Sequence, residues 1–292
     1  MNIDEIYKEY CLKIAPLHMH QRSIKKIIEE ELKNLIEYAN SIKDNKFASE
    51  LPASVDNFYF YGARDGCAKL LAFKSSSIEE KIKMTVLHKN KQYQWILAEA
   101  YEIYEDFLQN IYAYMGFNNN ELWPLSDFGT VTLKELKDKD FEYFQKQAQN
   151  KKDIPHSILS KIREILPYYS EIEIKNKLNK NIKLIIIMIE KFRHIIVHKN
   201  GVINDKELFI ESIFQKAGLL NNGKYDKDLY YYISGFLGKD EYHNIIVLLE
   251  FQVMPELPIR AEIDPLNILI NILSSSVYAI CEELNKIVKK VS

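Results

Sequence analysis

The stretch from Leu178 to His198 constrains the fold of this chain more than any other part of the sequence. Leu184 to Ile189 is an unbroken apolar run, and four further apolar residues follow before His198. The β-branched side chains would suit a strand over residues 185–189, but the length favours a helix that ends at Asn200-Gly201. A helix that is apolar nearly all round must be buried on most of its sides, so the rest of the chain has to surround it.

The composition indicates that the elements packed around this apolar helix are themselves helices. Nine glycines and eight prolines make up about 6% of the 292 residues, roughly half the usual share of ~12%, so few sharp turns are available. Hydrophobic residues account for 47% and charged residues for 27%, which excludes a wholly disordered, collagen-like or polytopic membrane protein. We therefore predict an all-α fold, of about two domains or one large domain with appendages.

Helical periodicity recurs along most of the chain. Residues 1–50 are predicted to be helical with an interruption at Pro16, and Ser77 with Glu80 forms a capping box that starts another helix. Further helices are predicted at residues 93–115, 133–147, 157–166 and 264–290, with Gly116 as the C-cap of the first of them and Pro167 ending the third.

Two short strands and a turn are predicted among the helices. Val55–Tyr61 and Ile245–Met254 have the composition of strands, the second bounded by Pro255, and Asn222-Gly223 indicates a turn. We expect a helical N-terminal extension at 1–85 and a helical bundle at 86–292, with a small β-containing insertion at about 202–263. In that bundle the helix at 93–115 should pack alongside the helix at 178–198, with a core of Leu97, Ile103, Tyr104, Phe107, Leu108 and Ile111.

Charge and cysteine content restrict the function classes. Lys and Arg number 39 against 41 Asp and Glu, so any nucleic-acid site must be local. The three cysteines, Cys11, Cys67 and Cys281, form no CxxC pair, which favours a reducing compartment. The N-terminus has no apolar signal region, and the longest apolar run is too short to cross a membrane. We expect a cytoplasmic protein without membrane contact, and the absence of GxxxxGK[ST], GxGxxG and HExxH motifs predicts no cofactor and no metal.

The chemistry-bearing residues are concentrated where the apolar helix ends. Arg193, His194, His198 and Lys199 follow the apolar run and precede Asn200-Gly201. Arg193 and His198 are five residues apart, about 140° around a helix, and could converge on one ligand if the last turn loosens. Arginine suits phosphate oxygens and histidine can move a proton near neutral pH, so the pair could support cleavage of RNA without metal.

The segment resembles the HEPN superfamily of α-helical RNases and nucleotide-binding modules, whose motif is R-x(4–6)-H with a polar residue after the Arg. Arg193-x4-His198 matches that motif, with His194 where Asn is commoner, and Trp95–Leu108 is similar to the first long helix of the family. The resemblance covers about 88–201 and 264–290. It implies a metal-independent endoribonuclease that works as a homodimer on RNA, in a toxin or antiviral role, with an antitoxin or regulatory protein as a further partner.

The resemblance assigns roles to seven residues. Arg193 would hold and stabilise the phosphate, His198 would be the general acid or base, and His194 would assist by hydrogen bonding. The predicted substrate-binding residues are Lys199, Asn200, Glu102 and Glu105. Residues 173–206 carry eight basic and three acidic side chains, a local net charge of +5, which would attract phosphate.

Simpler interpretations stay open. Arg193 could form an ion pair with Glu190 or with a carboxylate of the 93–115 helix, and His198 could be a helix C-cap. His194 and His198 also have the i, i+4 spacing of a metal pair. The whole chain could be a non-catalytic HEPN-like module that binds a nucleotide or a protein, or a structural dimerisation protein.

Overall fold

A computed structural model of the chain describes residues 2–151, 153–220, 223–253 and 261–291. These residues form eleven α-helices and two antiparallel two-stranded sheets, so the chain is predominantly helical, as predicted. They divide into two compact units, one of residues 20–92 and one of residues 1–19 together with 93–292.

The helices and strands follow one another along the chain in a simple order. They are α1 (Ile3–Ile42), α2 (Lys46–Glu50), β1 (Ser54–Tyr61), β2 (Ala68–Ser76), α3 (Ile78–Asn118), α4 (Leu133–Leu136), α5 (Phe141–Gln149), α6 (His156–Ile165), α7 (Pro167–Ile172), α8 (Ile182–Lys199), α9 (Lys206–Ala217), α10 (Lys227–Ser234), β3 (Phe251–Gln252), β4 (Glu262–Ile263) and α11 (Pro265–Val291). Helices α1 and α3 contribute residues to both units.

Two predicted helix breaks are wrong. Pro16 lies inside α1, because a proline removes one helical hydrogen bond without ending a helix whose freed carbonyl can be solvated, and Leu12 four residues earlier is largely exposed. Gly116 lies inside α3, where the Trp123 indole packs so closely that a Cβ would be 2.3 Å from it. The glycine therefore makes room for a tryptophan instead of ending the helix, and α3 continues to Asn118.

The capping box at Ser77 is confirmed, but the helix it starts is longer than predicted. The Ser77 amide donates to Glu80 Oε2 at 3.0 Å, and the Glu80 amide donates to Ser77 Oγ at 3.2 Å. The helix then runs without a break into the stretch predicted as a second helix at 93–115. The opposite occurs at 133–147, which forms the separate helices α4 and α5.

Helix α8 is the buried helix that the apolar stretch predicts. It begins at Ile182, four residues later than expected, where the Asn181 side chain accepts a hydrogen bond from the Leu184 amide at 3.0 Å. Ten of its side chains are buried, and α9 and α11 both pack against it. The helix is thus covered by its own chain.

Helix α3 runs antiparallel to α8. The Gln94 side chain lies against Gly201 at the end of α8, and Glu102 pairs with Arg193 two turns earlier on that helix. The predicted core residues of this part of α3 are all buried: Leu97, Ile103, Tyr104, Phe107, Leu108 and Ile111.

A buried polar network lies among α3, α6, α7 and α11. Arg163 donates from Nε and Nη2 to the two carboxylate oxygens of Glu173 at 2.6 and 2.8 Å, and Glu173 is 1% exposed. The Tyr169 hydroxyl donates to Glu173 at 3.1 Å and shares a hydrogen bond with the Ser276 hydroxyl at 2.8 Å. Ser276 also bonds to the Tyr104 hydroxyl at 2.9 Å. The buried charges are therefore paired and hydrogen-bonded.

The region at 202–263 is more helical than predicted. It contains α9 and α10, and the expected strand at 245–254 is wrong over most of its length. Ile245 and Ile246 form only isolated bridges to Val202 and Leu237, since they pair with loops instead of a second strand. Within the described part of this region, the regular strands are β3 and β4, which pair with each other over two residues each. Asn222, Met254 and Pro255 lie outside the described residues.

The predicted strand at 55–61 is confirmed as β1, which forms a hairpin with β2. The pairing runs from Ser54 opposite Ser76 to Tyr61 opposite Ala68, with an irregularity between Phe58 and Tyr59. Almost every residue of the hairpin is exposed. The exposed large apolar residues are Val55, Phe58, Tyr59, Phe60, Tyr61, Leu70, Leu71 and Phe73.

Helix α11 is long and apolar enough over Pro265–Ile287 to cross a membrane, judged by length and composition alone. Core helices of soluble proteins meet the same criterion. Here α11 packs against α7 and α8, and 61% of its most apolar window is buried.

Candidate functional site

The end of α8 is held in place by backbone contacts. Asn200 and Gly201 both have left-handed backbone conformations, with φ of 55° and 79°, and the Gly201 amide donates to the Ile195 carbonyl at 3.0 Å. The Ile246 amide donates to the Gly201 carbonyl at 3.0 Å, and Gln94 Nε2 donates to the Ile246 carbonyl at 2.7 Å. A Cβ at position 201 would lie 2.5 Å from the Gln94 amide, so glycine is required here. The residues that follow the last turn of α8 are thus tied both to α3 and to the loop at Ile246.

The guanidinium of Arg193 is hydrogen-bonded through one nitrogen, while another has no partner among the described residues. Its Nη2 donates to Glu102 Oε1 at 2.8 Å, in an ion pair whose side chains are 30% and 57% exposed. The simpler interpretation of Arg193 as the partner of an α3 carboxylate therefore holds, with Glu102 as that partner. The Arg193 Nε atom is buried and has no hydrogen-bond partner among the described residues. An exposed ion pair contributes little free energy, so a phosphate could replace Glu102 at small cost.

His194 and His198 form a pair on the solvent side of α8. Their ring centroids are 4.8 Å apart and both residues are exposed. Partial burial, together with the charges of His198, Lys199, Lys191 and Arg193, holds the pKa of His194 below its usual value of 6.5. His194 is therefore mainly neutral at pH 7 and able to accept a proton. Within the described residues, no cluster of three or more His, Cys, Asp or Glu side chains could hold a metal ion.

A cleft of about 250 Å³ opens beside Arg193, between α3, α8 and the segment before α6. We call it the Arg193 cleft and define it by its lining residues, which are Tyr101, Glu105, Ile154, Glu190, Lys191, Arg193 and His194. A larger groove of about 380 Å³ lies between Leu166 and Ile287 and contains none of the predicted site residues. The chemistry-bearing side chains therefore mark the smaller cleft.

Glu105 has an unusual acidity in the Arg193 cleft. Burial raises its pKa from 4.5 to about 7, helped by the negative charges of Glu102, Glu190 and Asp106 and opposed by Arg193. Near neutral pH, Glu105 is thus present both as carboxylic acid and as carboxylate. Glu190 is neutralised by Lys216, whose Nζ lies 2.6 Å from its Oε1. Such perturbed groups in a cleft indicate a functional site.

Tyr101 adds a second unsatisfied polar group to the Arg193 cleft. It is 1% exposed, and its hydroxyl makes no hydrogen bond to any described residue. Burial and the carboxylates of Glu190 and Glu105 raise its pKa well above 10, so the phenol keeps its proton. Buried hydroxyls without a partner are uncommon in folded proteins.

The structure brings together five of the seven predicted site residues. Glu102, Glu105, Arg193 and His194 lie at or beside the Arg193 cleft, and His198 stands next to His194. Lys199 and Asn200 are exposed at the end of α8, outside the lining of this cleft as the described residues form it.

The sequence interpretation missed four residues of the cleft. Tyr101 falls in the apolar stripe of α3, so it was indistinguishable from core, and Glu190 and Lys191 resemble ordinary polar positions on α8. Ile154 comes from a loop distant in sequence, and no local pattern marks it. Only the i, i+4 spacing of Tyr101 and Glu105 could have placed these two side chains on one face of the helix.

Comparison of the chain with models of protein families, with curated proteins and with solved structures gives no match.

Proposed function

We propose that this chain is a metal-independent endoribonuclease of HEPN type, with Arg193, His194 and His198 as its catalytic residues. The observation that carries the proposal is the arrangement around Arg193. The Arg193 Nε has no hydrogen-bond partner among the described residues, Arg193 and His194 line one cleft, and the exposed imidazoles of His194 and His198 lie 4.8 Å apart on the last turns of α8. This combination supplies a phosphate-binding fork and proton-transfer groups from the side chains of the chain itself.

The proposed reaction is a transesterification within RNA. Neutral His194 takes the proton of a 2′-hydroxyl, and the 2′-oxygen forms a bond to the adjacent phosphorus. The bond from phosphorus to the 5′-oxygen then breaks, and that oxygen takes a proton from a second, protonated imidazole. Arg193 stabilises the negative charge of the pentacoordinate phosphorus during the step. The products carry a 2′,3′-cyclic phosphate and a 5′-hydroxyl.

His198 is the candidate for the second imidazole, as general acid, with His194 as the base. The family motif supplies one histidine, so two copies of the chain would ordinarily provide the acid and the base. Here His194 lies beside His198 in the same copy. We still propose a homodimer, but the apolarity of α8 does not support it, because the chain itself buries that helix.

The substrate-binding residues of the proposal act around this centre. Lys199 and Asn200 are exposed beside His198 and would contact the RNA backbone. Glu102 would leave Arg193 when phosphate binds, and Glu105 would meet the substrate in the Arg193 cleft. A toxin or antiviral role and control by an antitoxin or regulatory protein belong to the same proposal on the family resemblance alone. A cytoplasmic location is proposed with them on the cysteine content of the chain.

The test is RNA cleavage by the full chain in EDTA. We expect the wild type to cut RNA and leave 2′,3′-cyclic or 3′ phosphate ends, and His198→Ala and Arg193→Lys to lower the rate by about 10²–10³. His20→Ala, which removes another exposed helical histidine, is the matched control and should cut at the wild-type rate. Products with a 3′-hydroxyl that require Mg²⁺, or full activity in His198→Ala, would refute the proposal.

The second candidate is a non-catalytic HEPN-like module that binds a nucleotide or a protein. The ion pair between Arg193 and Glu102 favours it, because it occupies part of the arginine in the free chain. Nucleotide binding without any cleavage in the same experiment would select this alternative.

A further inference from the structure

We propose that the Arg193 cleft is a subsite for one RNA base, next to the phosphate that Arg193 and the histidines hold. The proposal rests on the proposed function, since it takes RNA as the ligand. It adds a binding site whose main new residue is Tyr101, which the family resemblance does not include.

The first argument is the pair of buried donors that have no acceptor. The Tyr101 hydroxyl and the Arg193 Nε both belong to residues that line the Arg193 cleft, and neither has a hydrogen-bond partner among the described residues. Leaving a buried polar group unpaired costs free energy, so a folded chain keeps such a group where something else completes it. Two such donors in one cleft indicate a ligand that carries hydrogen-bond acceptors.

The second argument is the mixed chemistry of the lining. Tyr101, Arg193 and His194 offer donors, whereas Glu105 and Glu190 bring carboxylates. A phosphate presents acceptors alone, so it would match the donors and leave the Glu105 carboxylate without a donor. The edge of a nucleobase presents donors and acceptors together, and RNA-binding proteins read unstacked bases on these edges.

The third argument is size. A volume of about 250 Å³ equals roughly eight water molecules at about 30 Å³ each, and a single base has a similar number of non-hydrogen atoms. Ile154 provides apolar surface for the face of the base, and Glu105, half-buried and close to its pKa at neutral pH, can donate or accept at its edge. The cleft therefore has room for one base.

The experiment measures binding of small probes to the full chain by calorimetry, without any cleavage. The probes are the four ribonucleoside 3′-monophosphates, ribose 5-phosphate and inorganic phosphate. We expect at least one nucleotide to bind several-fold more tightly than ribose 5-phosphate. Tyr101→Phe should weaken that nucleotide by about 2- to 12-fold, the value of one hydrogen bond, and leave ribose 5-phosphate unchanged.

Tyr232→Phe is the matched control, because the Tyr232 hydroxyl is also buried without a partner in the described part of the chain but lies outside the Arg193 cleft. Both variants should keep the fold and raise the thermal midpoint by about 2–4 °C, since each removes an unpaired hydroxyl. Only Tyr101→Phe should change nucleotide binding.

The proposal is overturned if no nucleotide binds more tightly than ribose 5-phosphate, which would make the cleft an anion site only. It is also overturned if Tyr101→Phe and Tyr232→Phe affect nucleotide binding equally. Failure of the proposed catalysis gives a different result, because base binding would persist while RNA stays intact in EDTA.

Discussion

Replacing Glu105 with glutamine should stabilise the chain at alkaline pH and have little effect at acidic pH. In the folded chain the pKa of Glu105 is raised from 4.5 to about 7, mainly by burial; Arg193 opposes this rise, and Glu102, Glu190 and Asp106 contribute to it. Each pKa unit corresponds to about 1.4 kcal/mol, so the whole shift is worth ~3.4 kcal/mol for a fully buried group. Because Glu105 is only partly buried, solvent screening reduces this to about 1–2 kcal/mol.

The direction of this pH dependence follows from the number of protons that the folded and unfolded chains bind. Below pH 4.5 the carboxyl is protonated in both the folded and the unfolded chain, and it costs nothing. As the pH rises from 4.5 to 7, the unfolded chain releases the proton while the folded chain retains it, so the folded state loses stability relative to the unfolded state. Above pH 7 Glu105 is ionised in both states, and the loss of folding stability reaches its full value. The amide of the Glu105→Gln variant would be neutral throughout and would avoid this cost.

Urea unfolding at pH 4 and at pH 8.5 measures the effect. We expect Glu105→Gln to exceed the wild-type free energy of unfolding by about 1–2 kcal/mol at pH 8.5 and to match it within ~0.5 kcal/mol at pH 4. His194, whose pKa is also shifted, is present in both proteins. Glu99→Gln, at an exposed position on the same helix, should show no such pH dependence. An equal difference at both pH values would show that the reasoning about Glu105 is wrong.

Two further changes test how the site is supported. Glu173→Gln should lower the free energy of unfolding by about 3–5 kcal/mol, because it leaves Arg163 as an unpaired charge in a largely buried network; a denaturant midpoint close to wild type would contradict this. Gly201→Ala should lower the free energy of unfolding by about 1–2 kcal/mol more than Gly218→Ala does. Both glycines have positive φ, but only the new Cβ at 201 meets a neighbour, Gln94, whereas position 218 opens into free space. Equal losses would show that Gln94 moves aside freely.

The parts of the fold that the sequence predicts well are those with a strong one-sided or all-round apolar pattern. Helix α8 and its burial follow from its composition, and so does the core face of α3 around Phe107. Strand β2 was missed because both of its faces are exposed, so it lacks the alternation that marks a half-buried strand. Pro16 was misinterpreted because the carbonyl it leaves unbonded can be solvated, so the helix continues. Gly116 was misinterpreted because it makes room for Trp123 instead of ending the helix.

The candidate site was only half predictable for a related reason. Arg193 and the histidines stand out as polar residues at the end of an apolar run, and their types suggest phosphate chemistry. The Arg193 cleft, in contrast, depends on how α3 crosses α8 and on a loop that brings in Ile154. Which buried tyrosine keeps an unpaired hydroxyl is a property of packing, and no local pattern distinguishes Tyr101 from Tyr104, whose hydroxyl is bonded to Ser276.

The exposed hairpin of β1 and β2 has a consequence for how its sequence can change. Its aromatic side chains, including Tyr59, Tyr61 and Phe73, are more than half exposed, so each adds little to the free energy of unfolding. Surface substitutions of this kind typically change stability by less than about 0.5 kcal/mol. Mutation could therefore exchange these aromatics for polar residues at little cost in folding free energy, and a hairpin under folding selection alone would drift towards a polar composition. Its present aromatic content is a feature that the stability of the chain does not maintain.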